Sequence, residues 1–280
     1  MARSSSTRGS WLYTNVMVPM DLGSDAECRA KLAADLADRF SSGLLGIAAA
    51  DIRTPLYFES DVTGVVGIIE MEERRARENL KKAEASFRRI AGGRNKTAWR
   101  QSLMSPIDYV LEQARAADLI VAERVQRAED WSSLMGVNGG SLVLGAGRPV
   151  LFVPPKVDYV AAKRVIIGWK DTREARRAVW DSLPFLKLAK EVLVVAITAE
   201  RGGAQDASDY LARHGIASGV LERAESDAAV ADELIRLASQ EGADLIVCGA
   251  YGHSRAREWI LGGVTRDLLD HSPLCCLMTH

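Results

Sequence analysis

Long apolar runs are missing from this sequence. No uninterrupted stretch approaches the ~20 residues that a bilayer-crossing helix needs, so no membrane span is expected. Charge of one sign is missing too. The 36 Lys and Arg residues stand against 37 Asp and Glu, a formal net charge of −1. No global positive field is then available to capture nucleic acid or an anionic membrane. Cysteine is scarce: Cys28, Cys248, Cys275 and Cys276 are spaced neither as a disulfide framework nor as a zinc site. Cys275 and Cys276 are adjacent on an expected strand, so their side chains should face opposite ways. All four read as reduced thiols of a cytoplasmic protein. His214, His271 and His280 lack ligand spacing, and no metal site is expected from them. No P-loop lysine motif, zinc-protease motif or nucleophile elbow occurs, and no Ser-His-Asp or Cys-His set stands out, so no catalytic residue is assigned. The opening Met1–Ser10 is basic and Ser-rich, with no signal-peptide apolar core after it, and residues 1–14 read as a disordered tail.

What is present is ordinary globular material, 48% hydrophobic and 26% charged, enough for two modest domains. The chain repeats itself. Ala117-Asp118-Leu119-Ile120-Val121 recurs as Ala243-Asp244-Leu245-Ile246-Val247. Each copy follows an apolar-periodic helix, Ile107 to Ala116 or Val230 to Ser239, and each precedes a Pro-led terminal strand, Pro149–Val153 or Pro273–Met278. Val16–Asp21 likewise stands against Val165–Lys170. Pro154-Pro155-Lys156 reads as the linker, because proline stiffens the chain and cannot extend a sheet interior. Asp118 and Asp244 read as structural turn residues in both copies.

The first copy, residues 15–155, gives strands at Val16–Pro19, Leu44–Ala50, Thr97–Leu103, Leu119–Val121 and Pro149–Val153. A helix over Asp25–Phe40 is expected to open with a Ser24/Glu27 capping box. An irregular segment, Asp51–Gly67, leads into a long amphipathic helix over Ile68–Ile90, whose charge run reads as a solvated face. The second copy, residues 160–280, gives strands at Val165–Gly168, Val192–Ile197, Ala217–Leu221, Leu245–Cys248 and Leu274–Met278. Its helices are Glu174–Leu188, a short one at Ala207–His214, Val230–Gln240 and Ala256–Leu269. Strict alternation of helices with buried-type strands implies an α/β fold: two doubly wound domains, each with a five-stranded, mainly parallel sheet. In such sheets ligands bind beyond the C-terminal strand ends, at the switch point.

One stretch sits at such an end. Leu245–Cys248 runs into Gly249, Gly252 follows, and Gly262-Gly263-Val264-Thr265 comes nine residues after that. Small residues there let main-chain N–H groups approach an anion. Two glycines alone would signal an ordinary tight turn; the third at fixed spacing, inside a repeat, points to an anion-binding loop. Gly262-Gly263 can equally serve helix–strand packing. His253 reads as a polar loop residue, not a catalyst, since no carboxylate orients it. Ser254 reads as a helix cap or phosphate donor, and Arg255 and Arg257 as phosphate donors or a solvated face. Trp169 is either a core lid or a stacking surface for a base.

On these residues the chain resembles the universal stress protein family in its tandem form, over about residues 15–280. The family's nucleotide-binding members carry Gly-x2-Gly-x9-Gly followed by Ser or Thr, and Gly249, Gly252 and Gly262 fit that spacing, with Gly263 in place of the hydroxyl and Thr265 two positions on. The resemblance implies an adenine nucleotide alpha hydrolase-like fold. It also implies ATP bound in the second copy with accompanying Mg²⁺, held by Gly249, Gly252, His253, Gly262, Gly263 and Thr265. The family places an aspartate at the end of the first strand. Asp21 holds that position in the first copy; in the second it falls on Lys170, with Asp171 taking the role if the register shifts by one. In the first copy Glu123 and Gln126 replace the loop glycines, a carboxylate repelling phosphate and a side chain blocking backbone approach. The expected function is a stress-response regulator that binds nucleotide and an unknown protein partner. A nucleotide-free scaffold and a slow ATP hydrolase are the alternatives. The two copies are expected to pair as an internal pseudo-dimer through Pro149–Val153 and Leu274–Met278, with a homodimer of whole chains also open.

Overall fold

The computed structural model describes residues 13–52, 62–124, 134–198, 203–224, 229–252 and 263–280. In chain order the elements of the first half are β1 (Asn15–Pro19), α1 (Ala26–Phe40), β2 (Gly43–Ala49), α2 (Val62–Ala91), β3 (Thr97–Ser102), α3 (Pro106–Gln113), β4 (Leu119–Glu123), α4 (Gly139–Gly145) and β5 (Val150–Val153). The second half supplies β6 (Arg164–Trp169), α5 (Arg173–Leu186), β7 (Glu191–Ile197), α6 (Ala204–Arg213), β8 (Gly219–Arg223), α7 (Val230–Gln240), β9 (Leu245–Gly249), α8 (Gly263–His271) and β10 (Cys275–Thr279).

All ten strands form one sheet, in the order β3-β2-β1-β4-β5-β10-β9-β6-β7-β8. Every neighbouring pair is parallel except β5 with β10, where Val150, Leu151 and Phe152 oppose Met278, Leu277 and Cys276. The expected joining of the two terminal strands is therefore present, and it makes one sheet of what the sequence reads as two. Each half repeats the same strand order about that antiparallel seam. The physical cause lies in composition. The central strands are apolar on both faces: Leu119–Ala122, Leu245–Cys248 and all of β10 are buried. Such strands need helices on either side. Edge strands β3 and β8 carry polar, partly exposed side chains instead. One face is covered by α1, α2, α5 and α6, whose Leu32, Leu36, Phe87, Leu183 and Leu211 join one buried cluster. The other is covered by α3, α4, α7 and α8, through Val110, Leu142, Leu234 and Leu268.

The repeat is visible at atomic level. Asp118 accepts hydrogen bonds from the backbone N–H groups of Thr14 (2.9 Å) and Asn15 (3.0 Å). Asp244 does the same for Lys163 (3.0 Å) and Arg164 (3.1 Å). Each aspartate thus satisfies the backbone donors at the start of its half's first strand. Across the seam, Tyr13 and Phe40 of the first half meet Phe185 of the second. Their ring centroids lie 5.2, 5.8 and 5.1 Å apart, all edge-on. Such pairs each contribute about 0.5–1.5 kcal/mol beyond their buried area.

Three expectations change. Tyr13 and Thr14 belong to the fold, not to a tail: Tyr13 is buried and donates to the Asp181 carbonyl. Residues 1–12 lie outside the described residues. The Ser24/Glu27 capping box does not form. Asp25 is the N-cap residue and makes no side-chain cap, its carboxylate accepting from Lys156 N at 2.8 Å. Glu27 is drawn instead to Arg89 and Ser86 on α2. Finally, the chain is already helical at Val62, inside the segment read as irregular, because in the sequence the apolar residues near Gly64 and Gly67 hide the amphipathic period.

Candidate functional site

The chain leaves β6 toward α5 on one face of the sheet and leaves β9 toward α8 on the other. Beyond the C-terminal ends of these adjacent strands a crevice must open, since the two connections diverge. A cavity of about 130 Å³ lies there. Its apolar side is made by Val195, Ile197, Val230, Leu234 and Cys248. Its polar side is made by Lys170 and Thr172 on one wall, and by Gly249, Gly252, Gly263 and Thr265 on the other. The structure thus brings four of the expected residues together from two separated segments. His253 and Gly262 lie outside the described residues.

Two of the glycines are fixed by contact with the start of α5. A Cβ on Gly249 would lie 2.5 Å from Ala175 N and 2.6 Å from the Glu174 carbonyl carbon. A Cβ on Gly252 would lie 3.0 Å from Thr172 Oγ1 and 3.2 Å from Glu174 Oε2. Gly249 is therefore first a packing residue, admitting the helix end against the strand, while Gly252 faces side chains that can yield. Thr172 caps α5, accepting from Ala175 N at 3.2 Å. Glu174, in the first turn, is 4% exposed and ion-paired with Arg173. Burial pushes its carboxyl up, but hydrogen bonds from Arg173, its own backbone and Thr172 outweigh this and hold it below the usual carboxylate range. A buried negative charge thus lies beside the loop, at a helix N-terminus that favours it.

Tyr251 locks the loop. Its backbone is left-handed (φ +54°), a conformation uncommon outside glycine. Its N–H donates to Thr265 Oγ1 at 3.0 Å. Its hydroxyl lies 2.9 Å from where a Cβ of Gly140, in α4 of the first half, would be. Ala250 N donates to Thr279 O at 2.8 Å, and His280 Nδ1 lies 3.0 Å from Ala250 O. The loop is thereby held by both halves.

Asp171 does not line this cavity. Its carboxylate turns outward to Arg176, at 2.6 Å. Strand register explains why. Val16 pairs with Leu119 as Val165 pairs with Leu245. Counting on from these pairs sets Asp21 against Lys170, and Lys170 is the residue in the cleft.

The corresponding crevice in the first half is filled from within. Arg29 of α1 is 3% exposed and places its guanidinium 2.7 Å from Asp21 and 3.1 Å from Glu123. It also donates to the Pro19 carbonyl at 3.2 Å. The two carboxylates that the sequence offers here serve this arginine. Sequence reasoning passed over Arg29, although one signal was readable. It falls on the apolar stripe of α1, among Ala26, Ala30, Ala33 and Leu36, where a charge needs a buried partner. Glu174 was passed over too, and its burial has no counterpart in the local pattern.

Residues 167–280 match the family model of the universal stress protein family. They form a universal stress protein domain. No curated protein matches the chain. Among solved structures, a universal stress protein from Archaeoglobus fulgidus DSM 4304 superposes with a TM-score of 0.70 at 13% identity, covering 95% of each chain. A universal stress protein, so described as putative, from Pseudomonas aeruginosa UCBPP-PA14 gives a TM-score of 0.53 at 15% identity over 96% of this chain and 94% of its own. A functionally unknown protein from Pseudomonas aeruginosa PAO1 gives 0.53 at 15% identity over 96% and 93%. At these identities the likeness is one of fold, and it extends over both halves. Among the described residues no helix is long and apolar enough to cross a membrane.

Proposed function

We propose that the universal stress protein domain binds an adenine nucleotide, ATP with Mg²⁺, in the cleft at the ends of β6 and β9, and that the protein acts in a stress response as a cytoplasmic binding regulator. Residues 15–155 are then a second, degenerate domain of the same kind, closed by Arg29. The observation that carries this reading is the cavity itself: an apolar slot next to a glycine-lined loop, the backbone of α8 at Gly263 and the Lys170 ammonium. A base needs the first and phosphate the other three. The residues fit such a group at Gly252, where the missing side chain keeps the loop open against Thr172 and Glu174. Among the described residues no three His, Cys, Asp or Glu side chains gather as a metal site. Mg²⁺ would come with the phosphates, and Glu174 is a carboxylate beside the loop. When bound, the metal would neutralise phosphate charge. Nucleotide binding would bear on Tyr251, and through Tyr251 on α4 of the first half, altering a surface for a protein partner.

Isothermal titration of ATP-Mg²⁺ tests the reading. One saturable site is expected. Gly252→Val should remove it without unfolding the protein, since the atoms nearest the new Cβ among the described residues are side-chain atoms of Thr172 and Glu174. Normal binding by that variant would place the nucleotide elsewhere.

A second reading, a nucleotide-free scaffold, is favoured by one observation. The Tyr251 N–H, which a phosphate could otherwise use, is already donated to Thr265. Nucleotide carried through purification, read by ultraviolet absorbance ratio and by mass, separates the two. Slow ATP hydrolysis would need a base positioned for water. Phosphate release no faster than background would dismiss it.

A further inference from the structure

Trp169 has two sides. One lines the cleft at Gly249; the other lines a separate cavity of about 440 Å³ under the start of α6, on the opposite face of the sheet. That volume is in the range of ordinary small-molecule sites, roughly 300–1,000 Å³. Its floor is apolar, built from the buried Val179 and Ala207. Trp169 and Tyr210 wall it. Its rim carries Asp171, Arg176 and Asp206.

The rim charges do not cancel. Asp171 and Arg176 form an ion pair at 2.6 Å and sum to zero. Asp206 enters no ion pair among the described residues. Among the described residues it leaves one carboxylate without an ion pair beside two aromatic side chains. Asp206 Oδ2 and Trp169 Nε1 lie 3.8 and 3.9 Å from a common point, the place a Cβ of residue 203 would take. That residue is Gly203, the left-handed cap of α6 (φ +67°), which places no side chain of its own between carboxylate and indole.

We propose that this cavity binds a small organic cation with an apolar body, of the aryl-alkyl ammonium class. The apolar floor and aromatic walls take the hydrocarbon part. Aromatic rings attract an ammonium group that reaches a face, and Asp206 supplies a charge-assisted acceptor for it. An anion would meet Asp206, and a bare metal ion would find only two carboxylates on the rim, of which Asp171 is already paired with Arg176. The site shares Trp169 with the nucleotide cleft but does not rest on the reading given above.

The test uses the full chain and three probes of one shape and different charge: phenethylammonium, 2-phenylethanol and phenylacetate. Each is titrated by calorimetry and by tryptophan fluorescence, with Trp169→Phe identifying the reporting indole. Phenethylammonium is expected to saturate one site, with 2-phenylethanol at least about tenfold weaker and phenylacetate weaker still. Asp206→Asn, an exposed change that leaves the fold intact, should weaken phenethylammonium about tenfold and leave 2-phenylethanol unchanged. No saturation by phenethylammonium up to about 10 mM overturns the proposal. So does equal binding of the neutral probe, or an Asp206→Asn variant that binds the cation as the wild type does.

Discussion

Replacing Gly249 with alanine separates two explanations of the glycine loop. If glycine is there only to admit a ligand, the free protein should tolerate one methyl group. The structure says otherwise. The added Cβ would lie 2.5 Å from Ala175 N and 2.6 Å from the Glu174 carbonyl carbon. Ordinary carbon contacts sit at about 3.5–4.0 Å. Both neighbours are backbone at the start of α5, so no rotamer change relieves the clash. The helix end or the strand end must move by about 1 Å. Overpacking of this sort costs about 1–3 kcal/mol, and the entropy that alanine removes from the unfolded chain returns only about 0.4–1 kcal/mol. With α5 also covering the seam, a net loss of about 2 kcal/mol is expected, lowering Tm by about 4–8 °C for a chain of this size. The assay is thermal unfolding followed by circular dichroism, without nucleotide. Gly263→Ala is the control: among the described residues its Cβ would find nothing nearer than Asp267 Oδ2 at 3.8 Å, so its Tm should stay within about 2 °C of wild type. A Gly249→Ala protein that melts with the wild type would refute the packing argument.

Three further outcomes follow from buried charge and burial. Arg29→Met strands Asp21 and Glu123 without their shared cation, and denaturant titration should show a loss of about 3–5 kcal/mol; adding Asp21→Asn and Glu123→Gln should restore much of it. Burial pushes the Cys275 thiol up to about 12 and the Cys276 thiol up to about 11, and Cys248 is shifted upward as well. An aromatic disulfide reagent at pH 8 should therefore titrate no thiol but Cys28 in the native protein and all four in denaturant. The sign for stability follows. The unfolded chain loses these protons first, so stability falls as pH rises above the ordinary thiol value of about 8.5. Burial also holds the Asp181 carboxyl above the usual range, against the smaller lowering effects of Thr279, Arg177 and Arg148. Its ionisation costs stability as pH climbs past the unfolded value near 3.9. Asp181→Asn should accordingly raise Tm at pH 7 and change it little at pH 3.

Much of the architecture was legible because it rests on local pattern. Apolar runs such as Leu245–Cys248 mark doubly covered strands, and the Ala-Asp-Leu-Ile-Val repeat fixes the correspondence of the halves. That correspondence also marked Asp118 and Asp244 as structural in both halves, and the family resemblance pointed to the pairing of β5 with β10. What escaped depends on contacts distant in sequence. Arg29 closes the first crevice with Glu123, 94 residues away. Glu27 leaves its expected cap for α2, a choice made by packing and not by the spacing of Ser24 and Glu27. The balance between Lys170 and Asp171 needed the strand register, which a single-residue ambiguity leaves open in sequence and which pairing decides. The loop glycines were legible as a group, but not their division of labour, because the start of α5 lies over Gly249 only in the folded chain.

The most direct measurement of the central claim is calorimetric titration of ATP-Mg²⁺ into the folded wild-type protein, side by side with Gly252→Val. The nucleotide cleft at β6 and β9 requires one saturable site per chain in the wild type and its loss in the variant. Absence of heat at millimolar nucleotide from well-folded wild-type protein, or equal binding by Gly252→Val, would contradict it.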